Sequence, residues 1–266
     1  MNRGKISNIL RSLRILYFID WLHFRYEKLR FQKENNLFRH QSPEVKLPPD
    51  YLLYESYQLN YKKYYTDGVE SAQWLVDNLK RHSTLRNLKI LDWGCGPGRL
   101  IRHLPQITEN CQFYGSDYNL RSIGWCKENL PGINFNLNSL EAQLPYKDDF
   151  LDVIYGYSVF THLSEEKHLE WYAELHRVLK PGGILFITAQ GKNYRVKLTE
   201  KERQVFDNGD LVVRGKVKEG HRTYSAFHPV DFMHLLFEKA EVLEHIEPEA
   251  IAGRGIPQDI WIVKKV

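Results

Sequence analysis

Cysteine is scarce in this sequence and long apolar runs are missing from it. The 266 residues hold three cysteines, Cys95, Cys111 and Cys126, an odd set without the paired spacing that a zinc site or a disulfide framework needs. No metal centre is expected, and a reducing, cytoplasmic setting fits. The apolar stretch Ile15 to Leu22 is broken by Asp20, is far too short to span a bilayer, and is followed by no small-residue cleavage site. Internal repeats and low-complexity tracts are also lacking. A chain of this length can bury one large α/β core without staples.

Net charge is +4, yet residues 1 to 33 hold eight Lys or Arg against two acids, so the remainder sums to −2. The body therefore shows no basic stripe, which speaks against a nucleic-acid partner. Ile6, Ile9, Leu10, Leu13, Leu16 and Tyr17 recur at helical spacing among Arg3, Lys5, Arg11 and Arg14, the pattern of a basic amphipathic helix. Such an arm packs on the rest of the chain or on a second copy in a homodimer, or lies against a protein partner or the inner face of an anionic membrane. Pro43, Pro48 and Pro49 punctuate its end, so residues 1 to 50 read as a basic N-terminal helical arm and 51 to 266 as one domain. The tyrosine-rich stretch from Tyr51 to Tyr65 opens that domain with a helix or two, and Tyr57 and Tyr61 are placed there to stack on an acceptor.

The most informative segment is Ile90-Leu91-Asp92-Trp93-Gly94-Cys95-Gly96-Pro97-Gly98-Arg99-Leu100. An apolar run that suits a strand covered on both faces ends in an acid and a glycine loop, and a helix over Arg99 to Leu104 is expected to follow, pointing free N–H groups at a ligand. The next strand, Gln112 to Asp117, ends in a second acid at the spacing of a βαβ unit, where a carboxylate accepts both hydroxyls of a ribose. A dinucleotide oxidoreductase offers the same acid but prefers G-x-G-x-x-G. Arg99 stands where that third glycine belongs.

Together with the residues downstream of it, this segment resembles the ordered motifs of class I S-adenosylmethionine-dependent methyltransferases. A third strand near Ile133 to Leu137 precedes Asn138-Ser139-Leu140, and Leu144-Pro145-Tyr146-Lys147-Asp148-Asp149-Phe150 leads into a fourth strand, Leu151 to Gly156. This run is similar to the family's "LPF-x-D-x-x-FD-x-V" pattern, with Phe150-Leu151-Asp152 departing from the usual Phe-Asp pair. Ser158-Val159-Phe160-Thr161-His162-Leu163 and Arg177-Val178-Leu179-Lys180-Pro181-Gly182-Gly183 complete the order. With Phe227-His228-Pro229 and Gln258-Asp259-Ile260-Trp261, the chain is similar to bacterial members found beside or fused to glycosyltransferases.

The resemblance implies an α/β fold: a doubly wound, seven-stranded, Rossmann-like sheet with an N-terminal helical extension and an inserted cap at about 191–228. The Asn208-Gly209 pair in that insertion reads as a hairpin turn. It implies S-adenosyl-L-methionine as cofactor, with Asp92, Gly94, Cys95, Gly96 and Gly98 on its methionine and ribose side, Asp117 on the ribose hydroxyls, Tyr118 on the adenine face, Asn138, Ser139 and Leu140 flanking the adenine, and Ser158 near the methionine portion. The expected reaction is O-methylation of a small molecule or glycan hydroxyl. A nitrogen acceptor and a catalytically silent, cofactor-binding scaffold are the alternatives. A hydroxyl needs a base near neutral pH, and His162 and His228 are the best-placed histidines. Gln190, ending the fifth strand, is placed to hydrogen-bond the acceptor.

Overall fold

The computed structural model describes residues 8, 10–12, 15–251, 253 and 255–266. Of the expected amphipathic helix, Arg3, Lys5, Ile6, Ile9, Leu13 and Arg14 lie outside the described residues. The chain forms two compact units. One is Tyr17–Asn138, and the other runs from Ser139 to Val266 with the chain up to Leu16.

In the first unit, α1 (Leu16–Arg30) leads to α2 (Gln32–Gln41), α3 (Asp50–Ser56) and α4 (Tyr61–Leu79). One side of α1 packs on α3: the Tyr54 hydroxyl donates to Asp20 Oδ1 at 2.9 Å, and Phe24 meets Tyr51 edge-on. The opposite side is bare, with Phe18 62% and Leu29 71% exposed. The expected break at residue 50 is not a packing boundary. Phe38 of α2 joins Leu53, Tyr54, Leu59, Tyr61 and Tyr64 in one apolar cluster, and buried Asn35 donates to the Leu59 carbonyl at 2.8 Å while accepting from the Tyr61 N–H at 2.9 Å. Residues read as arm are thus core of this unit.

Strands β1 (Lys89–Trp93), β2 (Gln112–Asp117) and β3 (Ile133–Leu137) pair in parallel, with α5 (Leu120–Asn129) connecting β2 to β3. The expected helix after the glycine loop is a tight turn followed by a 3₁₀ segment, Ile101–Gln106. An α-helix running on from Arg99 would need an N–H at Pro105, whose ring also collides with the carbonyl four residues back.

In the second unit, β4 (Leu151–Gly156) is followed by α6 (Glu165–Val178), which Ser164 caps by accepting from the Lys167 N–H. Next come β5 (Leu179–Ala189), α7 (Glu200–Asp207), β6 (Val212–Arg214), β7 (Ser225–Phe227), α8 (Val230–Leu236), β8 (Ala240–Ile246) and β9 (Asp259–Lys265). The main sheet has seven strands in the order β3-β2-β1-β4-β5-β9-β8; only β9 is antiparallel to its neighbours β5 and β8. The insertion contributes the separate antiparallel pair β6–β7.

Asn208-Gly209 is not the turn of that pair. It ends α7: the Gly209 N–H bonds the Phe206 carbonyl, the Asp210 N–H bonds the Val205 carbonyl, and Gly209 sits at φ 89°, a Schellman ending. The described end of the basic arm packs on this insertion. Buried Arg11 donates to the Arg214 carbonyl at 3.1 Å, and Asn8 donates to Glu202 at 3.0 Å.

Candidate active site

The loop after β1 is hung from β2. Gly94 and Cys95 both donate their N–H to the Ser116 carbonyl, at 2.8 and 2.9 Å, and Gly94, Gly96 and Gly98 all take positive φ, which glycine adopts without strain. A side chain at Gly98 would come within 2.5 Å of Leu130, whereas one at Gly96 would meet only Ser56, at 3.5 Å. Gly98 is therefore required by packing on α5. At Gly96 the absent side chain leaves room beside the Asp117 carboxylate.

Asp117 is buried at the end of β2. Its Oδ2 accepts from the Gly96 N–H at 2.8 Å and its Oδ1 from the Asn119 N–H at 2.7 Å. Burial raises its pKa, and these two backbone bonds oppose the rise. Each carboxylate oxygen has a second acceptor position, so Asp117 can accept two further hydroxyls while its backbone partners fix its orientation. That is the chemistry a ribose diol requires, and the residues present fit an adenosine-bearing cofactor.

Of the other expected cofactor residues, Asp92, Cys95, Tyr118 and Asn138 belong to this same unit. Asp92 is buried at the end of β1, and Cys95 is buried in the loop, its thiol pKa pushed well up, first by burial and then by Asp92 and Asp117. That excludes a reactive thiolate. Tyr118 follows Asp117 directly, half-buried, its phenol pKa raised chiefly by burial. The Asn138 N–H donates to the Asp117 carbonyl at 3.1 Å. Ser139 and Leu140 begin the second unit; the Ser139 hydroxyl caps the turn through the Glu141 N–H.

Ser158, after β4, stands at φ 64°, a left-handed conformation that costs a serine energy. A ring of hydrogen bonds holds it there. Its N–H donates to Thr188 Oγ1 at 2.8 Å, Thr188 donates to Gln258 Oε1 at 2.6 Å, and Gln258 Nε2 returns to Ser158 Oγ at 2.7 Å. Thr161 donates to the Ser158 carbonyl at 2.6 Å. Thr161 and Gln258 lie inside motifs that carry the resemblance but take no role from it, and Thr188 lies in none; its only signal is a polar residue near the end of an apolar run.

The two histidines separate. His162 places Nδ1 2.9 Å from the Tyr224 carbonyl. A carbonyl only accepts, so Nδ1 carries the proton and Nε2 the lone pair. Burial lowers its pKa, against the opposing Tyr224 bond, which keeps the ring neutral and basic at neutral pH. His228, expected as an alternative base, is 1% exposed and is held in the core. Its Nε2 lies 2.9 Å from His168 Nε2, while His168 Nδ1 lies 2.7 Å from the Ser164 carbonyl. His168, its pKa lowered to about 4 chiefly by burial, donates to that carbonyl, so His228 must donate to His168. Phe160 and Phe232 pack around the pair.

Among the expected acceptor residues, Gln190 is half-buried at the end of β5 and its carbonyl receives the His228 N–H. Tyr57 is partly exposed; its hydroxyl donates to Asp67 at 2.7 Å and its ring lies under Arg99 at 4.4 Å. Tyr61 differs from expectation. It is buried in the α2–α4 cluster, with its hydroxyl bonded to Asp50 and Arg39. Core packing occupies that ring, so it is not presented to an acceptor.

Residues 90–183 match the family described as "Methyltransferase domain". That segment of the chain is a methyltransferase domain. Over 112 residues it is 31% identical to phthiotriol/phenolphthiotriol dimycocerosates methyltransferase 1 of Mycobacterium ulcerans, covering 40% of this chain and 39% of that protein. It is 35% identical over 100 residues to tRNA (carboxymethyluridine(34)-5-O)-methyltransferase of Arabidopsis thaliana, covering 37% of this chain and 23% of that protein. The chain thus spans well under half the length of these curated relatives. An S-adenosylmethionine-dependent methyltransferase of Methanosarcina mazei has the same fold, with TM-score 0.55 and 21% identity over 71% of this chain and 97% of that one. The Asp117 carboxylate, with its open neighbour Gly96, offers the acceptor chemistry that the ribose of S-adenosyl-L-methionine would require.

Proposed function

We propose that the chain is an S-adenosylmethionine-dependent methyltransferase acting on an oxygen of a small molecule or glycan. The observation that carries the oxygen reading is the state of His162. Its Nδ1–H is committed to the Tyr224 carbonyl and its pKa is lowered, so at neutral pH its Nε2 can take the proton that an acceptor hydroxyl must lose. When bound, the cofactor supplies an electrophilic methyl group on a sulfonium. The chain's own residues then have three tasks. Asp117 and the Gly94–Gly98 loop hold the ribose side, Gln190 orients the acceptor, and His162 removes the proton. In-line displacement needs alignment and exclusion of water more than a large set of catalytic groups.

The two relatives act, by their names, on quite different acceptors, so the small-molecule or glycan reading rests on this chain. Residues 34 to 266 carry a net charge of −2, which favours an uncharged acceptor over a polyanion. The test is an acceptor screen with nucleotide sugars, glycans and small phenols, using wild type and His162→Gln. Loss of turnover in the variant by about a hundredfold or more, with cofactor affinity unchanged, supports the reading. Undiminished turnover removes His162 as the base, and exclusive turnover of amines replaces the oxygen acceptor with nitrogen.

A further inference from the structure

We propose that His245, Glu247 and Asp259 form a divalent-cation site at the carboxyl ends of β5 and β8. One ligand atom from each residue lies within 4.8 Å of the others. His245 Nε2 and Asp259 Oδ2 are 3.1 Å apart, the separation of two neighbouring ligands that each sit about 2.1 Å from one cation.

Asp259 supplies the independent observation. It is 1% exposed, and its Oδ1 has no hydrogen-bond partner among the described residues. A buried carboxylate oxygen left unsatisfied is costly, and an ion pair with His245 alone leaves it so. A second carboxylate, Glu247, at the same point adds to the need for positive charge. The only ion-pair partner of Glu247 among the described residues is Lys192, with Nζ 3.1 Å from Oε2, and Lys192 is largely exposed.

The surroundings are built to hold the two inner ligands. Trp261 stacks on the His245 ring, with centroids 3.9 Å apart and planes 14° from parallel. The Asp259 carboxylate lies directly over Gly191, where a side chain would come within 2.0 Å of Oδ2. One imidazole nitrogen with two carboxylates suits manganese, iron or zinc ions better than calcium or magnesium, which take oxygen ligands almost exclusively. The site adjoins Gln190 at the end of β5, so a bound cation would add a positive point for an acceptor oxygen. That last role rests on the methyl-transfer reading. The existence of the site does not.

The test uses the full-length, tag-free protein, stripped with chelator and titrated with manganese(II) chloride. Free aqueous manganese is followed by electron paramagnetic resonance, in wild type, His245→Gln and Glu247→Gln. One site per chain, weakened tenfold or more in both variants, is the expected result. No binding at millimolar manganese, or binding unchanged in Glu247→Gln, overturns the proposal. Glu247 is exposed, so that variant remains informative if His245→Gln loses its fold. Titration of the same samples with S-adenosylhomocysteine reports the cofactor site separately, so failure of one reading is not mistaken for failure of the other.

Discussion

At the residue scale, the strongest constraint is that two backbone N–H groups of the fold itself orient the Asp117 carboxylate. Such preorganisation lowers the cost of binding. His162 is prepared in the same sense, because the Tyr224 carbonyl fixes which ring nitrogen is basic. If His162 is the base, kcat/KM should be flat from pH 8 to pH 7 and should fall only on the acid side of the ordinary histidine range, because its pKa is lowered. A pH–rate profile checks this, and an acid limb centred above pH 7 would exclude His162. Gly98→Ala tests the loop itself. It forces a positive φ on alanine and a 2.5 Å approach to Leu130, and should cost about 1–3 kcal/mol in urea unfolding.

Elements differ in how far the sequence alone determines them. Strands Ile133–Leu137 and Leu151–Gly156 lie where their residues place them, since each is bounded by unambiguous local chemistry. Asn208-Gly209 does not behave so: the same pair that closes a hairpin also ends a helix, because both require a residue at ease with positive φ. Helix α2 is hidden for another reason. Asn35 and Phe38 sit in a charged, arm-like stretch, and only the partners Leu59 and Tyr61 reveal them as core. Phe38→Ala should therefore destabilise the protein by about 3 kcal/mol or more, while Phe18→Ser on the bare side of α1 should stay within roughly 0.5 kcal/mol of wild type. Chemical denaturation of both variants checks the pair, and equal losses would contradict the packing described.

For the whole molecule, local geometry is legible where a motif fixes the backbone, as in the positive-φ glycines from Gly94 to Gly98 and the strand end at Asp117. It is not legible where the site depends on neighbours far apart in sequence. Ser158, Thr188 and Gln258 form one hydrogen-bonded ring from three strands' ends, and His168 with His228 forms a buried pair that no spacing announces.

These buried histidines set the pH dependence of stability. His168 and also His103, which is buried in the 3₁₀ segment Ile101–Gln106 of the first unit, have pKa values lowered from 6.5 to about 4, in both cases chiefly by burial. The unfolded chain binds more protons than the folded one between those values, so stability is full above pH 6.5 and is lost as pH falls toward 4. At pH 5 each group costs up to about 2 kcal/mol. Melting temperature should therefore drop by several degrees between pH 7.5 and pH 5, and a flat profile would contradict the burial of these rings.

The most direct test of the central claim is calorimetric titration of S-adenosyl-L-methionine and S-adenosylhomocysteine into the wild type and Asp117→Ala. The account predicts micromolar-range binding, about −8 kcal/mol, weakened about a hundredfold or more in the variant. No binding by folded wild type, or equal binding by Asp117→Ala, would contradict it.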